Sequence, residues 1–443
     1  MPSSTASDHL AGVREVLTRL DPEGLSDRER LDLIRGLEEL KAVAAAAQVR
    51  VAESFDTSAR CAHISAGGDP AKASRSIGSQ LALALHTSPH RGDEFRALST
   101  ALVDQMPETL AALSRGAIGE HHARVAFRAT SGLAPGMREQ IDAALSSDLG
   151  TLSPRQLDAA CRRIAASIDA AAVVDKIARA ARSCRVTVHP APEGMAYLSV
   201  LGPLPEVVGA YAALKRAAEA VVAGADEDEG PEGRGVGAIM TDRALRLLSN
   251  RAVGQGQPVM VNLVITDRAL LGEGDPGRSV DEPGQLPGHG PLAAPDARAW
   301  LSNPATPARI RRLFTTPNGR DLTQMESRSR VFTGALAEII GLRDQCCAAP
   351  WCDAPIRDVD HVTRHSDGGP TSYRNGQGLC ERCNDVKEQP GWVVTRASGA
   401  GTDAAGVTTW TTPTGQVHST SPPPILGPGW RPNHDILADS PAA

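Results

Sequence analysis

Apolar residues recur at intervals of three and four along much of the first 250 residues, and this spacing predicts amphipathic helices. The clearest case runs from about Ser26 to Phe55, where Leu37 and Leu40 belong to the apolar face. Ser26 and Glu29 have the spacing of a capping box, in which each side chain satisfies a backbone N–H of the first turn. We therefore predict one long helix that begins after Ser26.

The spacing of apolar residues changes after residue 183. The segment 184–202 alternates apolar and polar residues on both sides of a Pro/Gly turn, which predicts a β-hairpin, and PVMVNLVI at 258–265 is a further strand candidate. Further helices are predicted at about 94–131, 136–182, 205–223 and 237–250. The stretch from Gly272 to Asp296 is too rich in Gly and Pro for regular structure, so we expect a long surface loop or hinge there. The pattern thus predicts a mainly α N-terminal region with a small α+β segment.

Composition supports helices and limits the classes of partner. Aromatic residues make up only 3% of the 443 residues, so the cores must consist of Ala, Leu, Val and Ile, which suits close-packed helices. The length predicts two or three domains. The formal net charge is −6, so any nucleic-acid binding must be local rather than driven by the whole chain. The arginines between Arg309 and Arg330 are the best candidate for such a local basic patch.

The N-terminus has no positive segment followed by an apolar one, and no apolar run of 18 residues occurs, so we expect a soluble cytoplasmic protein without membrane contact.

The distribution of cysteine predicts a metal site. Five of the eight cysteines fall within 38 residues, and in a cytosolic chain such crowding indicates metal binding before disulfides. These five are Cys346, Cys347, Cys352, Cys380 and Cys383.

Two cysteine pairs have the spacing of a zinc site. Four residues separate Cys347 from Cys352, and two separate Cys380 from Cys383. Four thiolates complete the tetrahedral coordination of Zn²⁺ and leave no open position, so the role of this metal is predicted to be structural. Cys346 in place of Cys347 would give an alternative first pair with five intervening residues.

The residues between the two pairs carry chemistry that a structural zinc site does not need. Asp360 and His361 lie near the end of a predicted strand, and Asn384 lies four residues after Cys380 on a predicted helix. Hydrolysis of a phosphodiester needs a base, a hard divalent cation and a group that orients the base. We assign His361 as the base, Asp360 and Asn384 as oxygen ligands for Mg²⁺ or Mn²⁺, and Asn375 as the residue that bridges the loop and orients the imidazole.

These residues resemble the HNH nuclease motif of the ββα-metal fold, in the order DH, GG, N and LCxxCN. The resemblance implies that His361 is the general base, that Asn375 is the middle Asn, and that Asn384 stands where the motif often has its third His. The same His-Asn-Asn form, with an Asp before the His, occurs in nuclease domains of RNA-guided enzymes. The resemblance also favours Cys347 over Cys346 as the zinc ligand, and it implies cleavage products with 5′-phosphate ends. The departure at Asn384, where the motif often has a His, argues for Mg²⁺ over a His-ligated transition metal.

The wider chain is similar to the 13E12 repeat family, on the segments SRSRVFTGALAEIIGLRDQCC, PWCDAPIRDVDHV and NGQGLCERCN. That similarity implies a mostly helical domain of unknown function 222 (DUF222) followed by an HNH module. We predict the following division: a helical DUF222-like domain with a small β-hairpin region at 1–270, a Gly/Pro-rich linker at 271–305, a basic connector and helix at 306–342, a zinc-stapled HNH domain at 343–396, and a hairpin with a Pro-rich tail at 397–443.

The predicted function is that of a metal-dependent endonuclease acting on double-stranded DNA. Residues 341–396 contain seven Arg/Lys and eight Asp/Glu, so DNA affinity would have to come from the Arg309 to Arg330 segment or from the metal. The alternative is a non-catalytic nucleic-acid-binding or interaction protein that keeps the zinc-stapled fold. A third hypothesis is a helical regulator whose C-terminal module is vestigial. The sequence leaves the oligomeric state open.

Overall fold

A computed structural model describes residues 3–192, 195–226, 230, 233–250, 263–265, 269–270, 282–286, 290–302, 331–396 and 406–423. The chain divides into two compact units. The first comprises Met1–Ser58 and Glu94–Lys176, and the second comprises Ala59–Asp93 and Ile177–Ala443. Within the described residues, no helix combines the length and the apolar character needed to cross a membrane.

Nine helices open the described part of the chain. They are α1 (Ser3–Thr18), α2 (Asp27–Ser65), α3 (Pro70–Ala84), α4 (Pro89–Gln105), α5 (Pro107–Ser114), α6 (Glu120–Thr130), α7 (Pro135–Leu145), α8 (Pro154–Ile168) and α9 (Ala170–Ala181). The capping box predicted for α2 is confirmed, since Glu29 Oε2 accepts from Ser26 N at 2.8 Å while Glu29 N donates to Ser26 Oγ at 3.4 Å. The helix runs ten residues beyond the predicted end at Phe55, because no Gly or Pro occurs between Phe55 and Gly67.

The first unit contains a buried carboxylate that caps a neighbouring helix. The start of α5 has no capping side chain of its own, because Met106 precedes Pro107 there. Asp142 on α7 accepts instead from Glu108 N at 2.7 Å and from Thr109 N at 3.1 Å. Burial raises the pKa of Asp142 above its ordinary value. Packing between helices therefore supplies a cap that the local sequence lacks.

The second unit begins its C-terminal part with the predicted hairpin. Strands β1 (Arg185–Pro190) and β2 (Ala196–Leu201) pair antiparallel, with Val186 opposite Val200. Helices α10 (Leu204–Val222) and α11 (Val236–Ser249) follow, as predicted. Their contact buries Ala218, Val221 and Ile239. The prediction of a mainly α region with a small α+β segment is confirmed.

The prediction of an irregular loop from Gly272 to Asp296 is wrong for its C-terminal part. Strands β3 (Gly284–Leu286) and β4 (Gly290–Leu292) form a short antiparallel hairpin, and α12 (Ala294–Ser302) begins directly afterwards. Glycine promotes this structure, because a Cβ at Gly284 would lie 2.8 Å from Leu263 Cδ1, and Gly290 has a φ of +99° that suits the turn.

Two sequence predictions fall largely or wholly outside the described residues. Of the strand candidate at 258–265, only 263–265 are described, and Val264 there forms an isolated antiparallel bridge with Gln285. The basic segment from Arg309 to Arg330 lies outside the described residues altogether.

The C-terminal module is a β-hairpin followed by a helix, with a second sheet behind it. Its elements are α13 (Gly334–Asp344), β5 (Asp358–His361), a 3₁₀ turn (His365–Asp367), β6 (Gly376–Leu379), α14 (Glu381–Lys387), β7 (Val393–Arg396), β8 (Thr408–Thr411) and β9 (Val417–Thr420). Strands β5 and β6 pair antiparallel, with His361 opposite Gly376. The predicted C-terminal hairpin, β8–β9, is present, and β7 adds a third strand that the sequence analysis did not predict.

A buried ion pair joins α13 to the β5–β6 hairpin. Arg343 Nε lies 2.6 Å from Asp344 Oδ1, and its two terminal nitrogens each donate at 2.7 Å, to Tyr373 O and Gly376 O. Asp344 Oδ2 accepts from Gly378 N at 2.7 Å. Backbone groups of β6 and of the turn before it therefore provide hydrogen-bond partners for both side chains of this buried pair.

Replacement of Arg343 by Met is expected to lower the free energy of unfolding of the module by about 3–5 kcal/mol, because Asp344 would remain buried without its partner. The matched control is Arg357→Met, whose exposed ion pair with Glu381 should contribute at most about 1 kcal/mol. Urea denaturation followed by tryptophan fluorescence measures both, since four of the five tryptophans lie at or beyond residue 351. Equal effects of the two substitutions would contradict the role assigned to the buried pair.

Candidate active site and metal centre

The four cysteines predicted as zinc ligands come together. The sulfur atoms of Cys347, Cys352, Cys380 and Cys383 all lie within 4.8 Å of one another, and Cys352 Sγ is 3.9 Å from Cys380 Sγ. A tetrahedral zinc with Zn–S bonds of 2.3 Å places its sulfurs about 3.8 Å apart. The cluster therefore has the donor set and the dimensions to hold a metal such as zinc. Cys346, the alternative ligand, is not among the four clustered residues.

Two local structures position these sulfurs. The first pair lies on a turn after α13, where Cys347 N donates to Ala354 O at 2.9 Å. The second pair opens α14, because Cys380 is its N-cap residue and its Sγ accepts from Cys383 N at 3.4 Å. The helix predicted to carry Asn384 after Cys380 is therefore observed.

Contacts among the four sulfur atoms shift the pKa values of the thiols. Hydrogen bonding with Cys347, and then with Cys352 and Cys383, lowers the pKa of Cys380. The same kind of contact, led by Cys347 and reinforced by burial, raises the pKa of Cys383. Four adjacent thiolates repel one another in a buried site, and a divalent cation removes that repulsion.

His361 occupies the end of β5 and is buried. Its Nε2 lies 2.9 Å from Thr371 Oγ1, and its ring packs against Phe332 at 4.5 Å between centroids. The exposed His365 presents its ring edge-on at 5.6 Å. Thr371 was not singled out from the sequence, since a lone threonine after a Gly-Gly-Pro turn carries no pattern that indicates this contact.

Asn375 bridges the loop that follows β5, as predicted. Its Oδ1 accepts from Thr363 N, and its Nδ2 donates to Thr363 O and Pro370 O, each at 2.9 Å. The Gly-Gly pair makes this bridge possible, because Gly368 has a φ of +86° and a Cβ at Gly369 would lie 1.9 Å from Thr363 O. That Asn375 also orients the imidazole stays a prediction.

Asp360 is connected to α14 through a buried lysine. Lys387 Nζ lies 2.8 Å from Asp360 Oδ2 and 2.5 Å from Glu388 Oε1, and only 4% of the Lys387 side chain is exposed. Glu388 pairs in turn with Arg364 at 2.7 Å. Charged groups from β5, from the loop after it and from α14 therefore form one network.

Helix α14 also carries Asn384, which lies one turn before Lys387 and is half-buried. The structure thus brings Asp360 to the helix that bears the second predicted oxygen ligand. The sequence alone indicated that Lys387 lies near the site, because it follows Asn384 by three residues and a helix places such residues on the same face.

The hairpin, the helix, the buried histidine at the end of the first strand and the cysteine cluster at the start of the helix together define a ββα-metal (HNH) module. A protein-family model described as HNH endonuclease matches residues 345–389, which agrees with this geometry. A second, described as Domain of unknown function (DUF222), matches residues 34–344, well over half of the chain. The chain therefore belongs to the DUF222 family, with an HNH module after the family region.

The predicted order of a DUF222 region followed by an HNH domain is confirmed, whereas the exact borders drawn from composition stay predictions. The HNH match places the module in an endonuclease-type family and implies an interaction with nucleic acid. No curated protein and no solved structure matches the chain.

Proposed function

We propose that the chain is a metal-dependent DNA endonuclease. The observation that carries this proposal is the arrangement at the end of β5, where a buried imidazole adjoins a carboxylate that an ion pair fixes to α14. His361 and Asp360 are consecutive on the strand, and Lys387 links Asp360 to the helix that bears Asn384. A scaffold that only bound nucleic acid would not need a base, a carboxylate and an amide on these elements.

The donor types fit two different metals. Cys347, Cys352, Cys380 and Cys383 would hold Zn²⁺, which would stabilise the module without an open coordination position. The carboxylate of Asp360 and the amide oxygen of Asn384 are hard ligands that suit Mg²⁺ or Mn²⁺. Such a cation would stabilise the negative charge that develops on the phosphate and on the leaving 3′-oxygen.

The residues of the chain itself have three tasks in this proposal. Thr371 Oγ1 lies 2.9 Å from Nε2 of His361 and helps to fix the orientation of the imidazole that takes the proton from the attacking water. Asn375 fixes the loop after β5 through its three hydrogen bonds to backbone groups. Lys387 holds Asp360 in place and offsets part of the negative charge that a phosphate brings to this edge of the module.

Affinity for DNA requires a further source of positive charge. The module is nearly balanced, with seven Arg/Lys and eight Asp/Glu over residues 341–396. We assign the missing charge to the arginines from Arg309 to Arg330, which immediately precede the module in the chain.

Incubation of the purified protein with supercoiled plasmid is expected to give nicked or linear DNA with Mg²⁺ or Mn²⁺ and no product with EDTA. Asp360→Asn should slow cleavage by at least about tenfold, because altering even the partners of a metal ligand typically costs 10- to 100-fold. The control is Asp358→Asn, an exposed carboxylate two residues earlier on β5, which should cleave like the unmodified protein.

The ends of the product provide a second check. Products that a ligase rejoins without prior phosphorylation would carry the expected 5′-phosphates. DNA binding without cleavage under all metal conditions would contradict the proposal and would support the non-catalytic nucleic-acid-binding alternative.

A further inference from the structure

We propose that helix α3, nearly 300 residues upstream, is an integral part of the HNH module and holds α14, with Asn384, in its working position. Helix α3 lies in the region matched by DUF222, yet Ala59–Asp93 belong to the same compact unit as the module. The proposal assigns a role to one segment of a region whose function is unknown. Its consequence for cleavage rests on the proposed function, whereas its structural part does not.

A forked ion pair anchors one side of α14. Both terminal nitrogens of Arg382 bond to the carboxylate of Asp93, with Nη2 at 3.0 Å from Oδ1. The same Nη2 donates to Arg75 O at 3.0 Å and to Ser79 Oγ at 3.2 Å. A planar guanidinium held by a carboxylate and two oxygens of α3 has a defined position, which a simple contact between charges does not give.

A second ion pair of opposite polarity lies one turn further along α14. Asp385 Oδ1 accepts from Lys72 Nζ at 2.5 Å, and Asp385 Oδ2 lies 3.7 Å from Arg75 Nη1. Helix α14 therefore presents a cation and an anion, Arg382 and Asp385, to the opposite charges of Asp93 and Lys72. Asn384 lies between the two anchored residues, so the pairs act directly on its position.

Buried contacts also connect α3 to parts of the module outside α14. Trp392 Nε1 donates to Ser76 Oγ at 2.9 Å, and both groups are buried. Leu83 of α3 belongs to the apolar core that includes the metal-site cysteines, and His86 stacks on Trp351 at 4.8 Å between centroids. The full core cluster is Leu83, Cys347, Ala349, Cys352, Leu379, Cys383, Val386, Trp392 and Trp410.

The sequence of α3 is adapted to this close approach. Its buried residues include the small side chains Ala73, Ser76, Ser79 and Ala82, which recur every third residue. Gly78 leaves room for the Asp93–Arg382 pair, since a Cβ at this position would lie 2.0 Å from Asp93 Oδ1. Without α3, the module would lose a partner of its buried tryptophan and one wall of its apolar core. We therefore infer that the working module consists of the α3 segment together with residues 331–396 and 406–423.

The test uses full-length variants and three measurements: hydrogen exchange of the α14 amides, the time course of zinc transfer to a chelator, and DNA cleavage. Ser76→Ala removes the acceptor of the buried indole N–H, and leaving such a donor without a partner shifts an opening equilibrium about tenfold. We expect α14 amides to exchange, and zinc to leave, about tenfold faster than in the unmodified protein. The matched control is Ser74→Ala, on the same helix, whose hydroxyl contacts Arg60 rather than the module.

A double-mutant cycle isolates the forked ion pair. Asp93→Ala and Arg382→Ala should each speed the exchange of α14 amides, and the double variant should be no faster than either one, because both single changes break the same interaction. Helices α5 to α8 of the first unit provide an internal reference, and their exchange should stay unchanged.

The outcomes separate this proposal from the proposed function. Wild-type exchange of α14 in both Ser76→Ala and Asp93→Ala would overturn it, as would a loss of protection that extends equally to α5–α8. If α14 exchange and zinc loss accelerate as expected but no form of the protein cleaves DNA, the role of α3 stands and the nuclease assignment fails. If cleavage occurs, it should decrease in the order in which α14 loses protection.

Discussion

Replacement of His361 by Gln is expected to reduce the initial rate of Mg²⁺-dependent plasmid cleavage by about 10²- to 10⁴-fold, the usual contribution of a positioned general base. Glutamine fills much of the space of the buried ring beside Phe332 and retains a polar group that can reach Thr371, but its amide does not accept a proton near neutral pH. The fold should therefore persist while the chemistry is lost. The rate is measured as the loss of supercoiled plasmid with time, at matched protein and metal concentrations.

The control for this substitution is His365→Gln, which removes an exposed imidazole 5.6 Å from His361 and should cleave at close to the unmodified rate. His361→Ala gives a second variant, in which cleavage should also be lost although the packing against Phe332 is disturbed. Cleavage that persists in both His361 variants would mean a contaminating nuclease or a different base, and the role assigned to His361 would have to be withdrawn.

Replacement of Cys383 by Ser is expected to release zinc and unfold the C-terminal module. Structural zinc typically contributes an apparent 10–16 kcal/mol of binding free energy at pH 7, most of which depends on a complete set of thiolates. Loss of one buried ligand in a module with so small a core should therefore exceed its stability. Metal analysis is expected to find about one zinc per unmodified chain and far less in the variant, and tryptophan fluorescence should report the unfolded module.

The matched control for the zinc prediction is Cys346→Ser, which changes a cysteine next to Cys347 but outside the four-sulfur cluster. That variant should retain its zinc. If Cys347→Ser retained zinc and Cys346→Ser lost it, Cys346 rather than Cys347 would be the zinc ligand. Treatment of the unmodified protein with a strong chelator should reproduce the unfolding seen in Cys383→Ser.

Features encoded by neighbouring residues were predictable from the sequence. The capping box of Ser26 and Glu29, the hairpin formed by β1 and β2, and the cysteine pair that opens α14 each depend on side chains a few positions apart. Their spacing alone determines the geometry, because helices and hairpins have fixed periods. The same reasoning failed at Gly284, where glycine allows two chain segments to approach instead of breaking a strand.

Features that depend on distant segments were not predictable in this way. Nothing near Thr371 or Ser76 indicates that one meets an imidazole and the other an indole, since these contacts arise only when the chain has folded. The third strand β7 escaped prediction for a similar reason, because its partner β8 begins twelve residues after it ends. The cysteine spacing predicted the cluster that could hold a metal, but the ion pair between Lys387 and Asp360 depends on the packing of α14 against β5.

The bond between Arg382 and Asp93 joins residues 289 positions apart in the chain. At a translation rate of about 5–20 residues per second, the ribosome makes Arg382 roughly 15–60 s after Asp93. During that interval the buried face of α3, with its small residues and Leu83, has no module to cover it in the nascent chain. A synthesis that stops before the module is made would therefore leave this face of α3, including Leu83, without the residues that cover it in the folded protein.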